Sequence, residues 1–156
     1  MRSEVVERQR LVLPFLAPVY HGLAPLMEPL VRVTAGLLLM PHGAQKLFGA
    51  FGGGGIAGTG QFLESVGFVP GTLWAVALGA LEFFGGLLLA LGLFTRPVAA
   101  AVVVFMLQAV LFHWGKGYFW SNGGFEYPLL WGIVALAFAV RAGGPYSLDA
   151  KLGREV

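Results

Sequence analysis

LWAVALGALEFFGGLLLALGL, residues 73–93, is an unbroken apolar run that carries a single charged side chain, Glu82. A helix of about 20 such residues is what the roughly 30 Å hydrocarbon core of a bilayer requires. The turn signal Val69-Pro70-Gly71 precedes it. Wound as a helix, the run places Ala75, Gly79, Glu82, Gly86 and Ala90 on one face, a ribbon of small residues that lets a neighbouring helix approach closely. Glu82 sits about ten residues in, near mid-membrane, where a charge costs about 2.5–3.5 kcal/mol and demands a partner or a proton. It is therefore expected to point into a bundle, with Lys46, Arg32 and Arg96 as candidate partners. Two readings stand side by side: a proton-exchanging or ligand-binding carboxylate, and a buried ion pair that fixes helix register.

Outward from this run, three further apolar blocks predict spans over about 30–48, 97–114 and 127–140, the last short for a crossing. The first is expected to open just after Pro29, a favourable residue for a helix start. With 57% hydrophobic and 12% charged residues and a mean hydropathy of +0.77, the chain reads as all-α, an integral membrane four-helix bundle. The expected organisation is an arm over 1–29, the bundle over 30–149 and a tail over 150–156. Pro14, Pro18, Pro25 and Pro29 fit a signal-peptide core poorly, so residues 11–29 are expected to lie in the interface; packing on a partner subunit is the alternative. With four spans, Arg2, Arg8, Arg10, Arg32, Arg96, Arg141, Lys151 and Arg154 share one side, against Lys46 and Lys116 on the other. The positive-inside rule makes the first side, with both termini, cytoplasmic, and the expected location is a bacterial or archaeal inner membrane.

The composition also excludes. Without cysteine there are no disulfides, thiolate metal sites or dithiol chemistry. No basic run marks nucleic acid as a partner. Gly52 to Gly55 are not a phosphate-binding fingerprint, since no strand precedes them and the spacing differs. After them a short helix is expected, with Thr59 as N-cap and Gly67 as its stop. Tyr118, Phe119 and Trp120 suit anchoring at headgroup level, or the wall of a site for a lipid-like ligand.

The polar residues left inside apolar sequence carry the candidate chemistry. Arg32, Gly36, Gly43 and Lys46 share a face of the first span, and His42, Gln45 and Lys46 cluster at its end, just past Pro41. Interfacial snorkelling explains Lys46 well and His42 less well. His113 ends the third span and Glu126 opens the fourth. The topology puts His42, Lys46, His113 and Glu126 in the outer half above Glu82, which suggests a pocket opening outward. A b-type haem would have to use His42 with His113 and is disfavoured; no metal is expected, as ligand spacing such as H-x-x-x-H is absent.

These residues, taken in order, resemble the DoxX family over about 32–149. The resemblance rests on Arg32 with Gly36, on His42-Gly43-Ala44-Gln45-Lys46-Leu47-Phe48-Gly49, on Glu82-Phe83-Phe84-Gly85-Gly86, on Leu91-Gly92-Leu93-Phe94-Thr95-Arg96, and on His113, Glu126 and Tyr146-Ser147-Leu148-Asp149. Two features depart from the family pattern: a longer arm before Pro29, and Gly143-Gly144-Pro145 where a basic residue usually precedes the aromatic. The resemblance implies a small four-helix membrane subunit linked to thiosulfate:quinone oxidoreductase, quinol oxidase or oxidative-stress assemblies. Quinone is then the expected ligand, and lipid and other membrane or peripheral oxidoreductase subunits are the expected partners. The rival expectation is a non-catalytic structural or assembly subunit. A small-solute transporter ranks lower, since no inverted repeat is visible.

Overall fold

The computed structural model describes residues 11–153. Arg2, Arg8, Arg10 and Arg154, part of the charge count above, lie outside the described residues, as do the start of the arm and the end of the tail. The elements are α1 (Ala17–Phe48), α2 (Gly55–Ser65), α3 (Gly71–Leu91), α4 (Thr95–His113), α5 (Glu126–Arg141) and a short α6 (Leu148–Leu152). Among the described residues, three helices are long and apolar enough to cross a membrane: Pro14–Phe48, Gly71–Leu91 and Thr95–Lys116. Large apolar side chains such as Leu38, Leu73, Val104 and Leu111 are exposed along them, as lipid contact requires. This is a membrane protein. At 16 residues, α5 spans only about 24 Å.

The helices share one core. Ala35 and Leu39 of α1, Leu89 of α3, Ala99, Val102 and Met106 of α4, and Ala135 and Phe138 of α5 are buried against one another. α1 packs chiefly on α3, and α4 on α5. The α1–α3 contact is made by glycines on both sides. A Cβ on Gly86 would lie 2.7 Å from the Gly36 carbonyl oxygen, and one on Gly43 would lie 2.7 Å from the Gly79 carbonyl oxygen. The small-residue ribbon expected on α3 thus faces Gly36 and Gly43, the glycines expected to share a face of α1.

The first helix does not open at Pro29. It runs unbroken from Ala17, with Pro25, Pro29 and Pro41 inside it, so residues 17–29 extend the span as helix. Each internal proline removes one backbone donor, a loss tolerated when the helix is held on either side. The helix after the glycine run also differs from expectation. It begins at Gly55, so Thr59 lies inside it and is not its cap, while Gly67, at φ +97°, follows its end. The four-glycine segment allows this earlier start because Gly55 itself takes a positive φ of 60°.

At the other end of the bundle the α3–α4 turn is tied to both α1 and the tail. Gly92, at φ +68°, closes α3, and the Leu93 amide donates to the Leu88 carbonyl at 2.9 Å, the wrap of a Schellman motif. Arg32, only 1% exposed, donates to the carbonyls of Leu89 (2.9 Å), Ala90 (2.7 Å) and Tyr146 (3.0 Å). Asp149 accepts from the amides of Phe94 (2.8 Å) and Thr95 (2.9 Å), capping α4 from a distant part of the chain. A guanidinium at the carbonyl end of one helix and a carboxylate at the amide end of the next each oppose the local dipole.

Candidate functional site

Glu82 meets Lys46. Nζ of Lys46 lies 2.6 Å from Oε2 of Glu82, and the Glu82 side chain is 6% exposed against 24% for Lys46. Of the three cations considered as partners, the structure selects Lys46; Arg32 is committed to the α3–α4 turn. The close contact of Gly43 with the Gly79 carbonyl and with Phe83 brings the last turns of α1 against the middle of α3. Glu82 therefore lies level with the end of α1, because the first turns of α3 overhang that end. There α2 covers them: a Cβ on Gly60 would sit 3.1 Å from the Thr72 amide.

The backbone that carries Glu82 is unusual. Leu81–Gly85 forms one π-helical turn between two α-helical segments. Such turns are rare, and many sit at functional sites. The motif Glu82-Phe83-Phe84-Gly85-Gly86 occupies this turn and the residue after it, so the chemistry-bearing carboxylate and the local irregularity coincide. Phe83, next to Glu82 in sequence, packs edge-to-face on Phe48 with ring centroids 5.3 Å apart.

Lys46, but not Glu82, lines a pocket of about 410 Å³, together with Gln45, Gly53, Gly54, Gly58, Thr59 and Phe62. Its size lies within the range of small-ligand sites. α1 supplies the amide and the ammonium; the glycine segment and α2 supply the facing wall. Gly53 is fixed in this role, because a Cβ there would run into the Gln45 backbone and side chain. Gln45 also donates to the Phe51 carbonyl at 3.3 Å, which ties the segment back to α1. His42 is exposed one turn before Lys46, within Coulombic reach of the Glu82 carboxylate.

The six candidate ligand residues thus divide. His42, Gln45, Lys46 and Glu82 gather at one place. His113 and Glu126 organise the loop between α4 and α5: Nδ1 of His113 bonds the Gly123 carbonyl oxygen at 2.6 Å, and Glu126 accepts from the Trp120 amide at 2.9 Å. Neither lines the pocket. Thr59 and Phe62 were not singled out from sequence as pocket residues, since only the folding of α2 back onto α1 brings them there. Among the described residues no group of three or more His, Asp or Glu side chains is placed to hold a metal ion.

The chain is 34% identical over 139 residues to "Inner membrane protein YqjF" of Escherichia coli, covering 80% of this chain and 95% of that protein. It is 33% identical over 108 residues to "Putative oxidoreductase CatD" of Bacillus subtilis, covering 69% and 75%. A Haemophilus influenzae protein is 30% identical over 136 residues, covering 81% and 91%. No solved structure matches. The DoxX family profile matches residues 29–114, a stretch that holds Arg32, the glycine contacts and the whole Lys46–Glu82 site, and the chain belongs to the DoxX family.

Proposed function

We propose that the chain is an inner-membrane subunit that binds a quinone in the pocket beside Lys46 and Glu82 and serves an oxidoreductase complex. The observation that carries this reading is the pairing of Lys46, which lines that pocket, with the buried carboxylate of Glu82. Reduction of a quinone to a quinol takes up two electrons and two protons, so its site needs hydrogen-bond donors and a titratable relay beside an apolar cleft. The Gln45 amide and the Lys46 ammonium supply donors to a quinone oxygen, and Glu82 exchanges a proton with Lys46. Phe62 and the glycine backbone supply a flat, apolar wall for the ring. The electrons come from a partner oxidoreductase subunit. Family membership and the name of the Bacillus subtilis relative support a role beside an oxidoreductase.

The orientation that goes with this reading has both termini cytoplasmic and α5 as the fourth, short crossing. Among the described residues Arg32, Arg96, Arg141 and Lys151 lie toward the Asp149 end, and Lys46 and Lys116 toward the other, in keeping with the positive-inside rule. The pocket then opens at the outer face.

A structural or assembly subunit is the second reading. It is favoured by the way Arg32, His113, Glu126 and Asp149 are all committed to backbone groups of turns and loops. One experiment separates the two. Protein purified in mild detergent is extracted with organic solvent and its quinone measured against protein, for wild type and for Lys46→Met. We expect about one quinone per chain in wild type and at least a tenfold loss in the variant, both proteins eluting as folded species. Folded wild type without quinone, co-purifying with a large complex, supports the second reading and overturns the first.

A further inference from the structure

Along α1 and the turn that leads into it, leucine recurs at every seventh position: Leu16, Leu23, Leu30 and Leu37. Three residues after each stands another apolar side chain, Val19, Leu26, Val33 and Met40. This alternation of three and four is the a/d pattern of a coiled-coil seam. The N-terminal part of the stripe is not used inside the molecule, whereas Val33 and Met40 are half-buried and Met40 packs beside Gly86 of α3. Leu23, Leu30 and Leu37 are 48%, 56% and 52% exposed, and Val19 and Leu26 are exposed as well. The bundle buries a different side of the same helix: Arg32, Ala35, Gly36, Leu39 and Gly43. On a 3.6-residue helix those residues lie roughly opposite Leu23 and Leu30. Pro18, Pro25 and Pro29 also fall off the stripe, so their missing amides leave it continuous.

Lipid can cover only part of this stripe. Glu28 pairs with Arg141 at the end of α5, Nε to Oε1 at 3.2 Å, and these charges mark one edge of the bundle. From Glu28 to Phe48, α1 already spans about 30 Å, the thickness of the hydrocarbon core. Residues 17–27 carry the helix about 16 Å further. In that extension every residue from Pro18 to Met27 is exposed, including Tyr20 and Met27 beside the seam. An apolar helix surface of this kind standing beyond the membrane needs a protein neighbour.

We propose that the neighbour is a second copy of this chain, joined by parallel packing of the two α1 leucine stripes. The pattern is self-complementary, as a two-fold interface requires. Copies inserted in one membrane share their orientation and depth, so their stripes meet parallel and in register without further selection. About one and a half heptads beyond the membrane are short for a free coiled coil, but confinement to the membrane raises the effective concentration of the second strand. Because the seam faces away from the Lys46–Glu82 pocket's own walls, association leaves that pocket open.

The absence of native cysteine makes the test direct. Single substitutions Val19→Cys, Leu23→Cys and Leu26→Cys on the seam, and His21→Cys and Ala24→Cys off it, are made in the full chain. Each protein is oxidised in native membranes and the dimer fraction is read on non-reducing gels. We expect seam positions to cross-link at least fivefold more than the other two. We also expect Leu23→Glu combined with Leu26→Glu to convert the purified protein to a folded monomer, since both side chains are exposed. Equal cross-linking at all five positions, or none at any, overturns the proposal. With no cross-links, quenching of a fluorophore at position 23 by headgroup-labelled lipid assigns the arm to the membrane surface, and an unquenched fluorophore assigns it to a different protein; both outcomes contradict self-association.

Discussion

Lys46 and Asp149 show how differently two charged residues at opposite ends of one bundle are used. Lys46 meets a buried carboxylate beside open space, whereas Asp149 is spent on two backbone amides of α4. Burial opposes ionisation of Asp149, but the amides of Thr95 and Phe94 and the nearby Arg32 guanidinium outweigh it and hold the carboxyl below its usual range. A group whose pKa is lowered by folding stabilises the folded state above its unfolded value, about 3.9, and that contribution is lost as pH falls through the folded value. Thermal unfolding in detergent should therefore shift downward in wild type between about pH 5 and pH 3, and Asp149→Asn should show a smaller shift over the same range. Parallel shifts in the two proteins would remove Asp149 from this role. Glu82 as the charge needing a partner was legible in the sequence, because a lone carboxylate in an apolar run has few alternatives. Which cation answers it was not, since Arg32, Lys46 and Arg96 all lie within a few turns of the right depth and only the register of α1 on α3 decides.

The α1–α3 pair is where element geometry controls that register. Gly36 and Gly86 face each other so closely that neither position admits a side chain, and the same holds for Gly43 against the Gly79 carbonyl. Gly86→Leu should separate the helices and lower the melting temperature by an amount equivalent to at least the 1–3 kcal/mol typical of overpacking. An unchanged melting temperature would mean that the assigned packing face is wrong. The glycine ribbon was readable from spacing alone, because small residues three, four and seven apart line one side of any helix. The π-helical turn at Leu81–Gly85 was not, since no residue type encodes an i→i+5 turn and it follows from how the two flanking segments are held. The start of α1 was misread for a related reason. Proline is a strong local signal for a helix start, yet Pro25 and Pro29 are carried inside a helix that runs on from Ala17 to Phe48 and is packed on the bundle over its C-terminal half.

At the scale of the molecule, two ends of the bundle do two jobs. One end is closed by backbone bonds from Arg32 and Asp149; the other folds α2 back over α1 and α3 and leaves a pocket against an ion pair. Composition showed that the chain belongs in a membrane, but the folding back of α2 rests on glycine contacts between segments distant in sequence, which is why Thr59 and Phe62 were not seen as pocket residues while His113 and Glu126 were grouped with Glu82 by depth alone. The central claim is that the Lys46–Glu82 pair works on a bound quinone and is more than a structural clasp. Glu82→Gln tests it most directly, because the amide keeps the shape of the carboxylate but cannot exchange a proton. The measurement pairs the melting temperature of the intact protein with quinone-linked turnover in the membrane. The account predicts a folded protein with a modestly lowered melting temperature and turnover reduced at least a hundredfold, the lower end of what general acid–base groups contribute. A Glu82→Gln protein that loses stability by about 3–5 kcal/mol, as when a buried pair is broken, yet whose folded fraction turns over at the wild-type rate, would contradict it.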